Sequence, residues 1–184
     1  TALENSGPST VGHNEFNPLF ERDRDTVRLS AVGGSNSTWG DELVVGGLHG
    51  GFAYSLGQYH SETDGFRTNN DLNLDIYNAF LQFSLSPSSS LQFEARTRAQ
   101  ENGDLRLRMD PTKVSTTLRG DRDDDTLRLG YRLSLSSASD LIASVIQRRV
   151  GATDSDAANL SATARFESVT DTRSEGYNGE LQYL

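Results

Sequence analysis

The sequence predicts an all-β chain, an antiparallel up-and-down transmembrane β-barrel with about 8–9 strands in view and part of a larger barrel. Three observations predict it. Apolar and polar residues alternate with period two along most of the chain, and helical periodicity is nearly absent. The connections between alternating runs are long and short in turn. Hydrophobic residues make up only 34% of the chain, which suits a sheet with a polar second face better than a packed soluble core.

The elements follow in order after a polar lead over residues 1–24. Asp25 to Gly33 sets Val27, Leu29 and Ala31 on one face and Thr26, Arg28 and Ser30 on the other. Glu42 to Leu48 is a short apolar run, closed by the turn His49-Gly50-Gly51. Phe52, Tyr54 and Leu56 then alternate with small Ala53, Ser55 and Gly57. Asp75 to Leu85 places Tyr77, Ala79, Leu81, Phe83 and Leu85 opposite Asn78, Gln82 and Ser84, with Phe80 out of pattern. Beyond the turn Ser86–Ser90, Leu91, Phe93 and Ala95 oppose Gln92, Glu94, Arg96 and Arg98. Leu127, Leu129, Tyr131, Leu133 and Leu135 oppose Arg128, Gly130, Arg132 and Ser134, and Ser136–Ser139 turns the chain. Asp140 to Val150 is a strand of open register, because Leu141 and Ile142 compete for one face. Leu160, Ala162, Ala164 and Phe166 oppose Ser161, Thr163, Arg165 and Glu167; last, Tyr177, Gly179, Leu181 and Tyr183 oppose Asn178, Glu180 and Gln182.

Gly34–Asp41, Glu62–Leu74, Glu101–Asp124 and Gly151–Asn159 read as long connections, and Val169–Glu175 as an intermediate one. The others are tight turns. Alternate connections of an up-and-down sheet lie at the same end, so long loops gather at one end and turns at the other, as in bacterial outer-membrane barrels. The last strand runs to Leu184 with no turn after it, which favours part of a larger barrel. In that architecture the apolar face meets lipid, and Leu81, Phe83, Phe93, Leu129, Tyr131, Leu133 and Leu181 are the expected lipid-facing residues. The wet lumen takes Arg28, Glu94, Arg96, Arg98, Arg128, Arg132, Arg165, Glu167 and Glu180, paired across strands. Tyr54, Tyr77, Tyr131, Tyr177 and Tyr183 are candidates for the membrane interface, where the ring sits at headgroup level.

Composition excludes several functions. The formal charge of −9 leaves no basic groove for a nucleic acid. Without cysteine there is neither a disulfide framework nor a thiolate metal site. Lys113 is the only lysine, and arginine suits fixed ion pairs with carboxylates. No run approaches the ~20 apolar residues of a membrane helix, but a barrel strand needs only about 10 alternating ones. Thr1 to Asn14 lacks the basic start and apolar centre of a signal peptide, so the sequence reads as a mature chain or a piece of a longer one.

Chemical motifs are weak. Asp121-Arg122-Asp123-Asp124-Asp125 lacks the spaced carboxylates of a calcium loop and reads as a solvated external loop, as do Asp154 and Asp156. The histidines are His13, His49 and His60; His60 with Ser61 and Asp64 suggests a catalytic set, but adjacent strand residues point to opposite faces. Gly33-Gly34 and Gly46-Gly47 read as bulges or barrel corners, and Trp39 as a packed aromatic of the first loop. The expectation is no enzyme, no metal and no cofactor.

Phe16-Asn17-Pro18-Leu19-Phe20 leads into the first strand, and Tyr54-Ser55-Leu56-Gly57-Gln58-Tyr59-His60-Ser61-Glu62-Thr63-Asp64-Gly65-Phe66-Arg67 runs from strand into loop. Both resemble the barrel portion of TonB-dependent-receptor-like outer-membrane proteins, over roughly residues 16 to 184. The resemblance implies a bacterial outer-membrane location, lipid as a partner, and receptor- or porin-like passage of a small solute. Such receptors also carry a plug domain and a TonB-contacting segment. The 24 residues before the first strand are too few for a plug, so TonB coupling would use a region not in this chain. The alternative is a soluble all-β binding module that presents its loops to a partner.

Overall fold

The computed structural model describes residues 23–106, 114–159 and 165–184. They form eight strands: β1 (Arg24–Gly33), β2 (Trp39–His49), β3 (Phe52–Thr63), β4 (Leu72–Ser86), β5 (Ser89–Asn102), β6 (Arg119–Ser136), β7 (Ser139–Asn159) and β8 (Arg165–Tyr183). Each pairs antiparallel with the next, giving one sheet in the order β1 to β8. There is no helix among the described residues. β1 and β8 are edges that do not pair with each other, so the sheet is open and not closed into a barrel.

Two-residue turns join β2 to β3, β4 to β5 and β6 to β7, all at one end. Gly50 takes a left-handed φ of 58° in the first, a conformation that costs glycine little. The other two turns share a device. Ser86 Oγ lies 2.7 Å from Ser89 Oγ and accepts the Ser88 N–H; Ser136 Oγ lies 2.8 Å from Ser139 Oγ and accepts the Ala138 N–H. A register shift precedes each, at Ser84/Ser86 and Ser134/Ser136. The opposite end carries the longer connections 34–38, 64–71 and 103–118, with β7 and β8 joined there too.

Several expectations need correction. The eight strands among the described residues fall within the expected 8–9, but several boundaries differ. Gly151–Asn159 is no loop but the loop-side end of β7, and Val169–Glu175 lies inside β8. Asp121–Asp125 is strand as well, within β6, and Trp39 opens β2. These stretches are polar on both faces and lack alternation, yet their backbone groups pair in an unbroken ladder. A ladder needs only N–H and C=O groups, so side-chain patterning misses strands whose two faces are both wet. Gly46 and Gly47 sit in a regular ladder without a bulge, and the Tyr54 ring occupies the space a Gly47 side chain would need. The expected strand start at Leu160, Ala162 and Ala164, the lead over 1–22, His13 and Lys113 lie outside the described residues.

The register sorts the side chains into two faces, because directly paired residues share a face. One row runs Val27, Val45, Leu56, Ala79, Ala95, Leu127, Gln147, Tyr177. The next row on the other face runs Arg28, Val44, Gly57, Asn78, Arg96, Thr126, Arg148, Gly176. The polar face is the covered one: Glu42, Ser55, Gln82 and Gln92 are buried there together with Val44, Ala53, Ile76 and Phe80. Phe80, out of pattern in the sequence, packs there with Val44, Ala53 and Leu48. On the apolar face Leu29 is 73% exposed, Leu129 50% and Leu181 72%. A single-layer sheet that covers one face of its own must curl toward it, so the polar face is the inner one. Register also settles β7: Leu141 pairs with Leu133 on the outer face, and Ile142 with Arg132 on the inner.

Candidate functional site

The inner face is laced with ion pairs between neighbouring strands. Arg28 Nη2 reaches Glu42 Oε2 at 3.2 Å from β1 to β2, and the Glu42 side chain is only 5% exposed. Arg128 Nη1 lies 3.2 Å from Glu94 Oε2 between β6 and β5. Arg132 Nη2 donates to Asp140 Oδ2 at 2.9 Å across the last tight turn. Arg148 grips Asp124 with two donors, its Nε at 2.9 Å from Oδ1 and its Nη2 on Oδ2. That hydrogen bond, with the nearby charges of Arg148, Arg98 and Arg96, holds the Asp124 carboxyl below its usual value.

Of the expected lumen residues, Arg28, Glu94, Arg96, Arg98, Arg128, Arg132 and Glu180 share this inner face. Arg165 and Glu167 do not. β8 runs without a break from Arg165 to Tyr183, so alternation carries both onto the outer face with Tyr177 and Leu181. The expected hairpin at Val169–Glu175 had separated the two runs and hidden this parity. Leu81, Phe83, Phe93, Leu129, Tyr131, Leu133 and Leu181 all lie on the outer face. Tyr77 and Tyr177 stand at the loop-side margin of the apolar band and Tyr183 at the turn-side margin; Tyr54 and Tyr131 lie within it.

At the loop end, the 64–71 and 103–118 connections are locked together. Asp104 is fully buried. Its carboxylate accepts the backbone N–H of Arg106 at 3.1 Å and of Ser115 at 3.0 Å. Its carbonyl accepts Arg67 Nη2 at 2.7 Å and Asn70 Nδ2 at 3.0 Å. Asn69 Nδ2 donates to the carbonyls of Ser115 and Leu118, each at 2.9 Å. Gly65 permits the fold with a φ of 74°, at a place where a β-carbon would collide with the Asn70 carbonyl. Asp156 of β7 accepts Ser115 Oγ and Thr117 Oγ1 at 2.7 Å each, which lowers its carboxyl pKa. Beside this latch lies a cleft of about 610 Å³, lined by Glu62, Asp64, Asp71, Glu101, Arg119 and Asp121 among others. Nothing in the sequence pattern marked Asp104, Asn69 or Asn70, because the side-chain contacts that tie the two loops together span 34 to 49 residues.

The outer loop-side rim holds a second cluster. His60 Nδ1 donates to Asp75 Oδ1 at 2.8 Å, its Nε2 lies 3.8 Å from Glu62, and the Trp39 ring is 5.0 Å away and bonded to Glu62 through Nε1. The Asp75 hydrogen bond first, with further help from the charges of Asp75, Glu62 and Asp41, raises the His60 pKa against the effect of burial. Ser61 points to the other face, and the partner of His60 is Asp75, not Asp64. The acidic run splits in the same way: Asp121, Asp123 and Asp125 lie on the outer face and Arg122 and Asp124 on the inner. Among the described residues no three His, Asp or Glu side chains are placed to hold a metal ion. No protein-family model, curated protein or solved structure matches the chain.

Proposed function

We propose that the chain forms wall of a bacterial outer-membrane β-barrel, receptor- or porin-like, that serves passage or uptake of a solute. One observation carries this reading: the covered face is polar and the exposed face apolar. Val27, Leu29, Leu56, Leu129, Val145 and Leu181 stand between 47% and 73% exposed on one continuous face. A water-soluble protein rarely exposes an apolar patch of more than a few hundred Å² (about 300–600). In lipid the same side chains need no second layer.

The slope of the apolar band supports the reading independently. The row through Leu29 on β1 reaches Glu175 on β8, but the β8 apolar residues Tyr177 to Tyr183 centre about five residues closer to the turns. At about 3.3 Å per residue and about 4.8 Å per strand, the band crosses the hydrogen-bonded rows at roughly 25–30°. Barrel strands tilt by a similar angle, about 35–45°, against the membrane normal. TonB coupling, implied by the resemblance, would fall to a region outside this chain. No catalytic role is proposed. The soluble binding module would need a layer over the outer face, and none of the described residues supplies one.

Paired substitutions on adjacent residues of β6 test the orientation. Leu129→Arg puts a charge into lipid at a cost of about 2–4 kcal/mol, and should abolish folding into lipid vesicles. Arg128→Gln, on the inner face, should leave insertion intact. Equal tolerance of both, measured as the folded fraction resistant to external protease, would overturn the proposal.

A further inference from the structure

We propose that the outer face of β4–β7 holds a phospholipid whose headgroup carries an ammonium beside its phosphate. The reading that this face meets lipid is its premise. A groove of about 470 Å³ opens there, at the loop-side margin of the apolar band. Its size falls within the about 300–1,000 Å³ of small-molecule sites. Register explains the hollow. Large outer residues, Leu81, Phe93 and Leu129, stand in one row across β4, β5 and β6. Toward the loops the next outer row is Ala79, Ala95 and Leu127, and the one after it Tyr77, Thr97 and Asp125. Ala79, Ala95 and Thr97 thus make a low floor between Tyr77 on β4 and Leu127 on β6. The floor continues the lipid-facing band, so its turn-side half suits an acyl chain. Tyr77, 51% exposed, stands where a tyrosine ring meets headgroups.

The charges at the loop-side end choose the headgroup. Asp125 and Arg149 both line the groove and are direct partners across β6 and β7, on strands about 4.8 Å apart. They do not pair with each other: Arg149 Nε donates to Glu175 Oε1 at 3.1 Å instead. Asp125, and Asp123 in the next outer row, form no hydrogen bond or ion pair among the described residues. The other charged groups of these two rows do not compensate them. Glu175 is held by Arg149, Asp41 and Asp75 flank His60, and Arg173 is paired with Asp171. The row beyond adds Glu62, Glu101 and Asp121. The headgroup end of the groove is therefore acidic, which disfavours a purely anionic lipid. An ammonium suits Asp123 and Asp125. A phosphate held on a short arm beside it reaches the guanidinium of Arg149, whose side chain is 64% exposed.

The test is native mass spectrometry of the full chain released from non-ionic micelles, after incubation with phosphatidylethanolamine or with phosphatidylglycerol of the same acyl chains. Wild type should retain phosphatidylethanolamine at least about fivefold better than phosphatidylglycerol. A95L, which fills the floor, should lose retention of both lipids. D123N/D125N should lose the preference between them. E167Q removes a carboxylate from the same face at the loop-side end of β8 and should match wild type. Circular dichroism checks that each variant keeps its strands; if A95L loses them, T97L takes its place. No retention by folded wild type overturns the inference, as does equal retention of the two lipids, or retention unchanged in both groove variants. The vesicle experiment separates this failure from that of the barrel reading. A chain that inserts into vesicles but shows no preference keeps the barrel and loses the site, whereas a chain that never inserts loses both.

Discussion

His60 shows how one residue at the rim joins sequence, register and pH. It lies beyond the apolar stretch of β3, is 19% exposed through its side chain, and faces Asp75 directly across the β3–β4 ladder. Its pKa is raised in the fold by the Asp75 hydrogen bond first, and by the charges of Asp75, Glu62 and Asp41. The folded state therefore favours protonated His60. The stabilisation is fully present below the unfolded value, about 6.5, and is lost as pH rises through the higher folded value. His60→Gln should accordingly destabilise the folded sheet at about pH 5.5 and have little effect at about pH 8.5, read as denaturant midpoints in micelles. An equal loss at both pH values would contradict this pairing. At the same scale, Glu42 is a carboxylate buried to 5% exposure on the inner face, with Arg28 as one partner; such a group is tolerated only when charge and hydrogen bonds meet it.

At the scale of elements, a latch ties the 64–71 loop to the described ends of the next connection, residues 103–106 and 114–118. Asp104 bridges residues 67, 70, 106 and 115. Hydrogen bonds to a buried charge contribute roughly 1.5–3 kcal/mol each. Asp104→Ala should free the 103–118 connection, seen as faster proteolysis there, without loss of strand signal in circular dichroism. Simultaneous loss of both would mean that the loop is part of the sheet's own stability. The same scale shows what could be read from sequence. Val27, Leu29 and Leu127 to Leu135 alternate because one face is apolar, and the serine-rich turns mark themselves through hydroxyl chemistry. Ala152 to Asn159 and Asp121 to Asp125 carry polar residues on both faces, so no periodicity betrays them as strand. The inner arginines Arg96, Arg98, Arg128 and Arg132 were legible from alternation alone, whereas Arg122 sat in a stretch read as loop. Arg148 was not legible, because Leu141 and Ile142 left its strand without a register until the β6 ladder supplied one. The His60–Asp75 contact and those of Asp104 with Arg67 and Asn70 join residues 15 to 37 positions apart, which no local pattern encodes.

At the scale of the whole molecule, three features run together. Tight turns gather at one end and long connections at the other. The apolar face is exposed while the polar face is covered. The sheet has two free edges of unequal length, 10 residues in β1 and 19 in β8. Unpaired edges of that length are a hazard in water, since their N–H and C=O groups template pairing with other chains. In a membrane they are worse, because nothing there satisfies them. A lipid-facing sheet must therefore pair both edges, with each other or with further strands. The measurement that bears most directly on a lipid-facing sheet is far-UV circular dichroism combined with sedimentation, in plain buffer and then in detergent micelles. Aggregation or disorder in buffer, with strand content recovered only in micelles, is the expected result. A monomeric β-spectrum in plain buffer would contradict it and leave a soluble sheet whose outer face is covered by other means.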